Sequence, residues 1–161
     1  MQIYLLRHGI AEDAAPGRPD SERPLTSEGR EKLQRVLKRA RSADCVPSVI
    51  LSSPYKRALE TSAVAAEVLA YENQVVKVPS LAPEGSPEDV WQEIRRRPNE
   101  RAILLSSHEP LMSTMVALLL DSPALLVDMK KAALVRIDCE RPGPRPKGVL
   151  KWMLTPGVCV E

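Results

Sequence analysis

The chain contains two histidines, His8 and His108, and each stands at the end of a short apolar run. Leu5-Leu6 leads into Arg7-His8-Gly9, and Leu104-Leu105 leads into Ser106-Ser107-His108. A third apolar run ends in Ser52-Ser53-Pro54, with Arg57 one helical turn further on. Two imidazoles and two guanidiniums suit chemistry on a phosphoryl group. That group repels an incoming nucleophile, so fixed positive charge must be spread over its oxygens. Arg7 and Arg57 meet this need, because a guanidinium stays charged and can grip two oxygens at once. A neutral imidazole can attack phosphorus in line and carry the group as a phosphoramidate. His8 is therefore the candidate nucleophile, and His108 a second phosphoryl-binding group. Gly9 is expected to let the backbone come close to the substrate. Such a reaction needs neither metal nor cofactor.

These residues must be brought together by the elements around them. Residues 2–7, Val49–Leu51, Val75–Val78 and Ala102–Leu105 read as strands. Helices are expected over 27–42 behind Thr26 as cap, from Pro54 to Leu69 behind Ser53, from Ser86 to Arg97, and from Pro110 to Leu120. Ser86-Pro87-Glu88-Asp89 joins a cap, a proline at the first helical position and acids at the positive end of the dipole. Ala132–Asp138 and Val149–Leu154 read as a terminal antiparallel hairpin across a Pro/Gly-rich turn. The pattern predicts a three-layer α/β/α sandwich, with a mostly parallel central sheet and one domain over residues 1–161. In such sheets ligands bind beyond the carboxyl ends of the strands, where the two histidines and Arg57 fall. Helix starts there add free N–H groups and a positive dipole end.

Composition narrows the function classes. At 161 residues, with 43% apolar and 27% charged residues, the chain can bury one core. Phe is absent and aromatics total 3%, which argues against a base-stacking nucleic-acid module. A net charge of +2 is too small for a polyanion binder, and Arg95-Arg96-Arg97 reads as a solvated helix end. Cys45, Cys139 and Cys159 fit neither a disulfide framework nor a zinc site, which favours a reducing compartment. No apolar run reaches membrane-spanning length and the start lacks a signal-peptide pattern, so a cytoplasmic location is expected. Trp91 and Trp152 read as partly buried packing residues. The serines at 52, 53, 106 and 107 read as caps and small lining residues, since no nucleophile-elbow pattern surrounds them.

Taken together, the motifs resemble the histidine phosphatase, or phosphoglycerate-mutase-like, superfamily. Arg7-His8-Gly9 is similar to its signature, and Ser53-Pro54-Tyr55-Lys56-Arg57-Ala58-Leu59-Glu60-Thr61 to its S-P-x-x-R-A-x-x-T element. Arg23-Pro24-Leu25-Thr26-Ser27-Glu28-Gly29 and Ser107-His108-Glu109-Pro110 complete the series in order. The Leu81-Ala82-Pro83-Glu84-Gly85 turn and H-E-P bring the small bacterial SixA-type phosphohistidine phosphatases nearest. The resemblance implies that His8 is phosphorylated while Arg7, Arg57 and His108 bind the phosphoryl group. Arg23 is a further candidate, on a loop that could cover the site. Many relatives carry glycine where Ser107 stands.

Mutases and phosphomonoesterases of the superfamily also carry a glutamate that protonates an alkoxide leaving group. Glu84 and Glu109 are the candidates for that role here, although Glu109 could equally cap its own helix. A missing acid would fit a P–N substrate, whose imidazole can leave as a modestly basic group. Only one short helix is expected between the third and fourth strands, where larger relatives insert lids. The expected activity is removal of phosphate from a histidine on a phosphotransfer-type protein domain, without nucleic-acid or membrane partners. The alternatives are a small-molecule phosphomonoesterase acting on a sugar phosphate or nucleotide precursor, and a catalytically idle module that docks on phosphorylated proteins.

Overall fold

The computed structural model describes residues 1–140 and 142–160. The turn expected between the last two strands includes Arg141, which lies outside the described residues. Strands β1 (Gln2–Arg7), β2 (Val49–Ser52), β3 (Val76–Lys77), β4 (Ala102–Ser107), β5 (Leu134–Cys139) and β6 (Gly148–Leu154) form one sheet in the order β3-β2-β4-β1-β5-β6. The first four run parallel, with β1 and β2 on either side of β4. β5 pairs antiparallel with β1, and β6 with β5, which gives the expected terminal hairpin.

Alternation along β1 splits the core into two layers. Ile3 and Leu5 pack with residues of helices α3 (Pro87–Arg95) and α4 (Leu111–Leu119). Tyr4 and Leu6 pack with residues of α1 (Ser27–Ser42) and α2 (Lys56–Val68) on the other face. The sheet is therefore covered on both sides; β2 and β4 are buried along their whole length, and β1 everywhere but at its two end residues. The result is the α/β/α arrangement that the strand and helix pattern predicts.

Local signals fix two helix starts. Thr26 accepts from the Gly29 N–H at 2.9 Å, and Ser86 from the Asp89 N–H at 3.2 Å, contacts worth about 1 kcal/mol each. Two expectations are corrected. α2 begins at Lys56 rather than at Pro54, and Ser53 does not cap it. β3 spans only two exposed residues at the sheet edge. The basic run at the end of α3 pairs with its own helix: Arg96 and Arg97 both reach Glu93. Trp91 is more deeply buried than expected, and its indole donates to the Gly143 carbonyl. All three cysteines are free and buried. No described helix is long and apolar enough to cross a membrane.

Candidate active site

The parallel strands deliver their ends to one edge. The His8 N–H donates to the carbonyl of Ser107, the last residue of β4, and the His8 carbonyl accepts from the Ala132 N–H just before β5. The residue is thus clamped on both sides of β1. On the other side of β4, the Ser53 N–H donates to the Ser106 carbonyl. His8 and Ser53 are in this way set by ladder bonds of the sheet itself, and His108 follows directly on the last residue of β4. The imidazoles of His8 and His108 lie 5.1 Å apart between centroids, although 100 residues separate them in sequence.

The proton on His8 can be placed from its partners. Nδ1 lies 2.7 Å from the Gly9 carbonyl, which only accepts, so Nδ1 carries the hydrogen. Nε2 is then bare, and the Arg57 Nε–H points at it from 3.3 Å. Burial pushes the His8 pKa down to about 4, helped by the Arg57, Arg7 and Lys131 charges and opposed by the Gly9 bond. The ring is neutral at physiological pH, with its free lone pair on Nε2. A neutral ring with a fixed tautomer is what an attacking nitrogen requires.

His108 is held differently. Its Nε2 lies 2.7 Å from Ser53 Oγ, and its buried Nδ1 has no partner. Ser53 Oγ also accepts from the Tyr55 N–H, so this serine ties the second histidine to the entry of α2. Burial first, then the His8, Arg57 and Arg7 charges, push the His108 pKa down to about 3. The Tyr55 ring stands edge-on to His108 at 5.2 Å and takes the Arg57 guanidinium on its face at 5.0 Å.

Arg57 is 5% exposed, and every nitrogen of its guanidinium is engaged. Besides Nε on His8, Nη1 donates to the Asp20 carbonyl at 2.8 Å and Nη2 to Asp20 Oδ2 at 3.1 Å. Arg7 donates through Nη1 to the Met129 carbonyl at 2.7 Å, while its buried Nε has no partner. Burial lowers the Arg7 pKa, and Glu109 and Asp128 nearby oppose that shift. Two guanidiniums, with unpartnered buried nitrogens on Arg7 and His108, thus surround the lone pair of His8 Nε2, an arrangement suited to holding phosphoryl oxygens around an attacking nitrogen.

The remaining candidates divide. The Gly9 N–H donates to Thr61 Oγ1, which in turn donates to the Arg57 carbonyl. A Cβ on Gly9 would sit 3.2 Å from the Gly29 carbonyl oxygen and 3.3 Å from Leu25. A side chain at residue 9 would crowd neighbouring protein, and the Gly9 carbonyl orients His8. Gly29 is tighter still, since a Cβ there would lie 2.3 Å from the Ile10 carbonyl oxygen. That close approach docks the start of α1 on the segment after His8. Arg23 pairs with Asp20 Oδ1 at 2.8 Å and with the Glu12 carbonyl, so it holds Asp20. Glu109 Oε1 accepts from the Ser113 N–H at 2.7 Å, which is the helix-capping role. Glu84 is exposed, in the turn just beyond Leu81, whose carbonyl accepts from Ser107.

Sequence reasoning did not find Asp20, the Met129 carbonyl or the Ser53–His108 bond. Thr61 belongs to the S-P-x-x-R-A-x-x-T element, but its sequence position alone assigns it no role. None of these has a local signal, because each works on a partner tens of residues away.

Comparison with known proteins agrees with the geometry. Residues 3–82 match the histidine phosphatase superfamily (branch 1). The chain is 34% identical over 113 residues to an uncharacterised protein of Picosynechococcus sp., covering 68% of this chain and 67% of that protein. It is 26% identical over 160 residues to the phosphohistidine phosphatase SixA of Escherichia coli, covering 97% of this chain and 94% of SixA. The solved structure of the protein histidine phosphatase SixA complexed with tungstate superposes with a TM-score of 0.85 at 25% identity, covering 98% of both chains. This chain belongs to the histidine phosphatase superfamily. It is SixA-like in sequence and fold, and membership makes it a phosphatase.

Proposed function

We propose that the chain is a phosphohistidine phosphatase that works through a phospho-His8 intermediate. His8 Nε2 attacks phosphorus while Arg7, Arg57 and His108 hold the phosphoryl oxygens. The P–N bond of the substrate breaks, and its imidazole, already protonated on the other ring nitrogen, leaves as a neutral ring. Water then attacks phosphorus, breaks the bond to His8 Nε2 and releases inorganic phosphate. The guanidiniums supply the charge that a metal would otherwise bring, so the reaction is metal-independent.

The observation that carries the choice of a P–N substrate is the engagement of Glu109. One of its carboxyl oxygens is bound to the start of α4, and Glu84 lies exposed on a turn. An alkoxide needs a dedicated acid to leave, whereas the imidazole of phosphohistidine is a weaker base. Similarity to SixA along almost the whole chain supports the same reading. Only a one-turn 3-10 segment (Pro79–Leu81) and the nine-residue α3 stand between β3 and β4, which suits a site open to a histidine on a protein surface. The partner is then a histidine-bearing phosphotransfer domain in a cytoplasmic signalling chain, with no nucleic acid involved.

Side-by-side turnover of such a phosphorylated domain and a panel of phosphate monoesters tests this. The phosphohistidine protein is expected to be the better substrate, with Glu109→Gln and Glu84→Gln near wild type. Faster monoester turnover that Glu109→Gln or Glu84→Gln removes would overturn the assignment in favour of a phosphomonoesterase. Phosphate binding without turnover of either class would make the chain a docking module.

A further inference from the structure

Arg57 is not free to receive a phosphoryl group in this structure. Its Nη1 and Nη2 both donate to Asp20, and its Nε donates toward the bare Nε2 of His8. Asp20 therefore keeps the guanidinium over the one nitrogen that must reach phosphorus. The two imidazoles are correspondingly shut in, His8 being 7% and His108 2% exposed.

The two members of this ion pair are unequal. The Arg57 side chain is 6% exposed and the Asp20 side chain 57%. Asp20 sits in a one-turn 3-10 segment, Asp20–Glu22, on the loop before α1. It can exchange Arg57 for water with little loss, while Arg57 has nowhere else to go. Arg23 holds the other carboxyl oxygen, and the Arg23 and Arg57 contacts keep the Asp20 carboxyl below its usual range. Asp20 thus sets its negative charge on Nη2 and its main-chain carbonyl on Nη1, the donors that a phosphoryl dianion would take. Like charges a few ångströms apart repel substantially at a partly buried site.

We propose that Asp20 is a positioning residue that latches Arg57 over His8 in the free enzyme and is displaced by the phosphoryl dianion. The inference rests on the phosphoryl-binding role given to Arg57 above. Its consequence is that Asp20 weakens the hold on every phosphate dianion, the product included. When phospho-His8 is hydrolysed, Asp20 retakes Arg57 and the phosphate leaves.

Calorimetric titration of wild type, Asp20→Asn, Asp20→Ala and Arg57→Ala with inorganic phosphate tests the latch. Both Asp20 variants are expected to bind phosphate about fivefold tighter or more, with product inhibition strengthened by the same factor. Arg57→Ala is expected to weaken binding and to cancel the gain when combined with Asp20→Asn. A residue that merely braced Arg57 would give the opposite sign, since losing a brace cannot tighten a ligand. Unchanged or weaker binding in both Asp20 variants, at a native melting temperature, would overturn the latch alone. Phosphate binding indifferent to Arg57→Ala would overturn the reading of the site as well.

Discussion

The centre of the sheet and its β5–β6 edge are held together in different ways. Around β1, β2 and β4, polar and charged side chains are buried and tied across long stretches of sequence. His8 meets Arg57 and His108, Arg57 meets Asp20, and Arg7 meets Met129. At the outer part of the β5–β6 hairpin, side chains are exposed or paired with near neighbours. Arg136 pairs with Asp138 on the same strand, a bulge lies between Arg136 and Ile137, and Val149 and Leu150 are 62% and 49% exposed. A pre-organised charged site needs distant residues fixed at once, so single changes there propagate. An edge hairpin holds by its ladder and tolerates change on its outer face.

Substitutions should reproduce that contrast. Arg57→Ala removes the cation facing His8 Nε2 and leaves Asp20 with Arg23 alone, and steady-state kinetics should show kcat/KM lowered by about 10²–10³-fold. A loss within a few-fold would make the two regions alike. Ser53→Ala leaves the His108 ring without its hydrogen-bond partner. It should cost about 1–3 kcal/mol in denaturant unfolding and at least about tenfold in kcat. An unchanged kcat would remove Ser53 from the site.

The two imidazoles give a sharper, smaller effect, and they are the only two in the chain. Both have pKa values lowered by burial, to about 4 for His8 and about 3 for His108. A base with a depressed folded pKa binds fewer protons folded than unfolded. Its contribution to stability is therefore complete above the ordinary value near 6.5 and is lost as pH falls from there toward 4 and 3. Imidazole nitrogen NMR should show both rings neutral at pH 6, with His8 protonated on Nδ1. A ring titrating near 6.5 would contradict the burial argument. The smallest effect is expected at the hairpin: Val149→Thr should change unfolding free energy by no more than about 0.5 kcal/mol and leave turnover unchanged.

What could be read from the chain follows the same division. Thr26 and Ser86 are legible as caps because a cap acts on its own next turn. Alternation in β1 and the strand-end positions of His8 and His108 are equally local, so the sheet and the two rings were within reach. Ser53 looks like a cap and is not one: α2 starts at Lys56, and the hydroxyl serves the Tyr55 N–H and His108, 55 residues away. Asp20 is illegible for the same reason, its partner Arg57 lying 37 residues further on. The glycine at position 9 was predictable, but its cause, contact with Gly29 and Leu25, depends on how α1 docks.

The central claim is that the bare Nε2 of His8 becomes bonded to phosphorus during turnover. Rapid quench with a labelled phosphoryl donor, followed by mass spectrometry, tests it most directly. An acid-labile, base-stable label on Nε2 of residue 8, formed and lost at rates compatible with kcat and missing in His8→Ala, is the result expected. Turnover with no such label, or with the label on another residue, would contradict it.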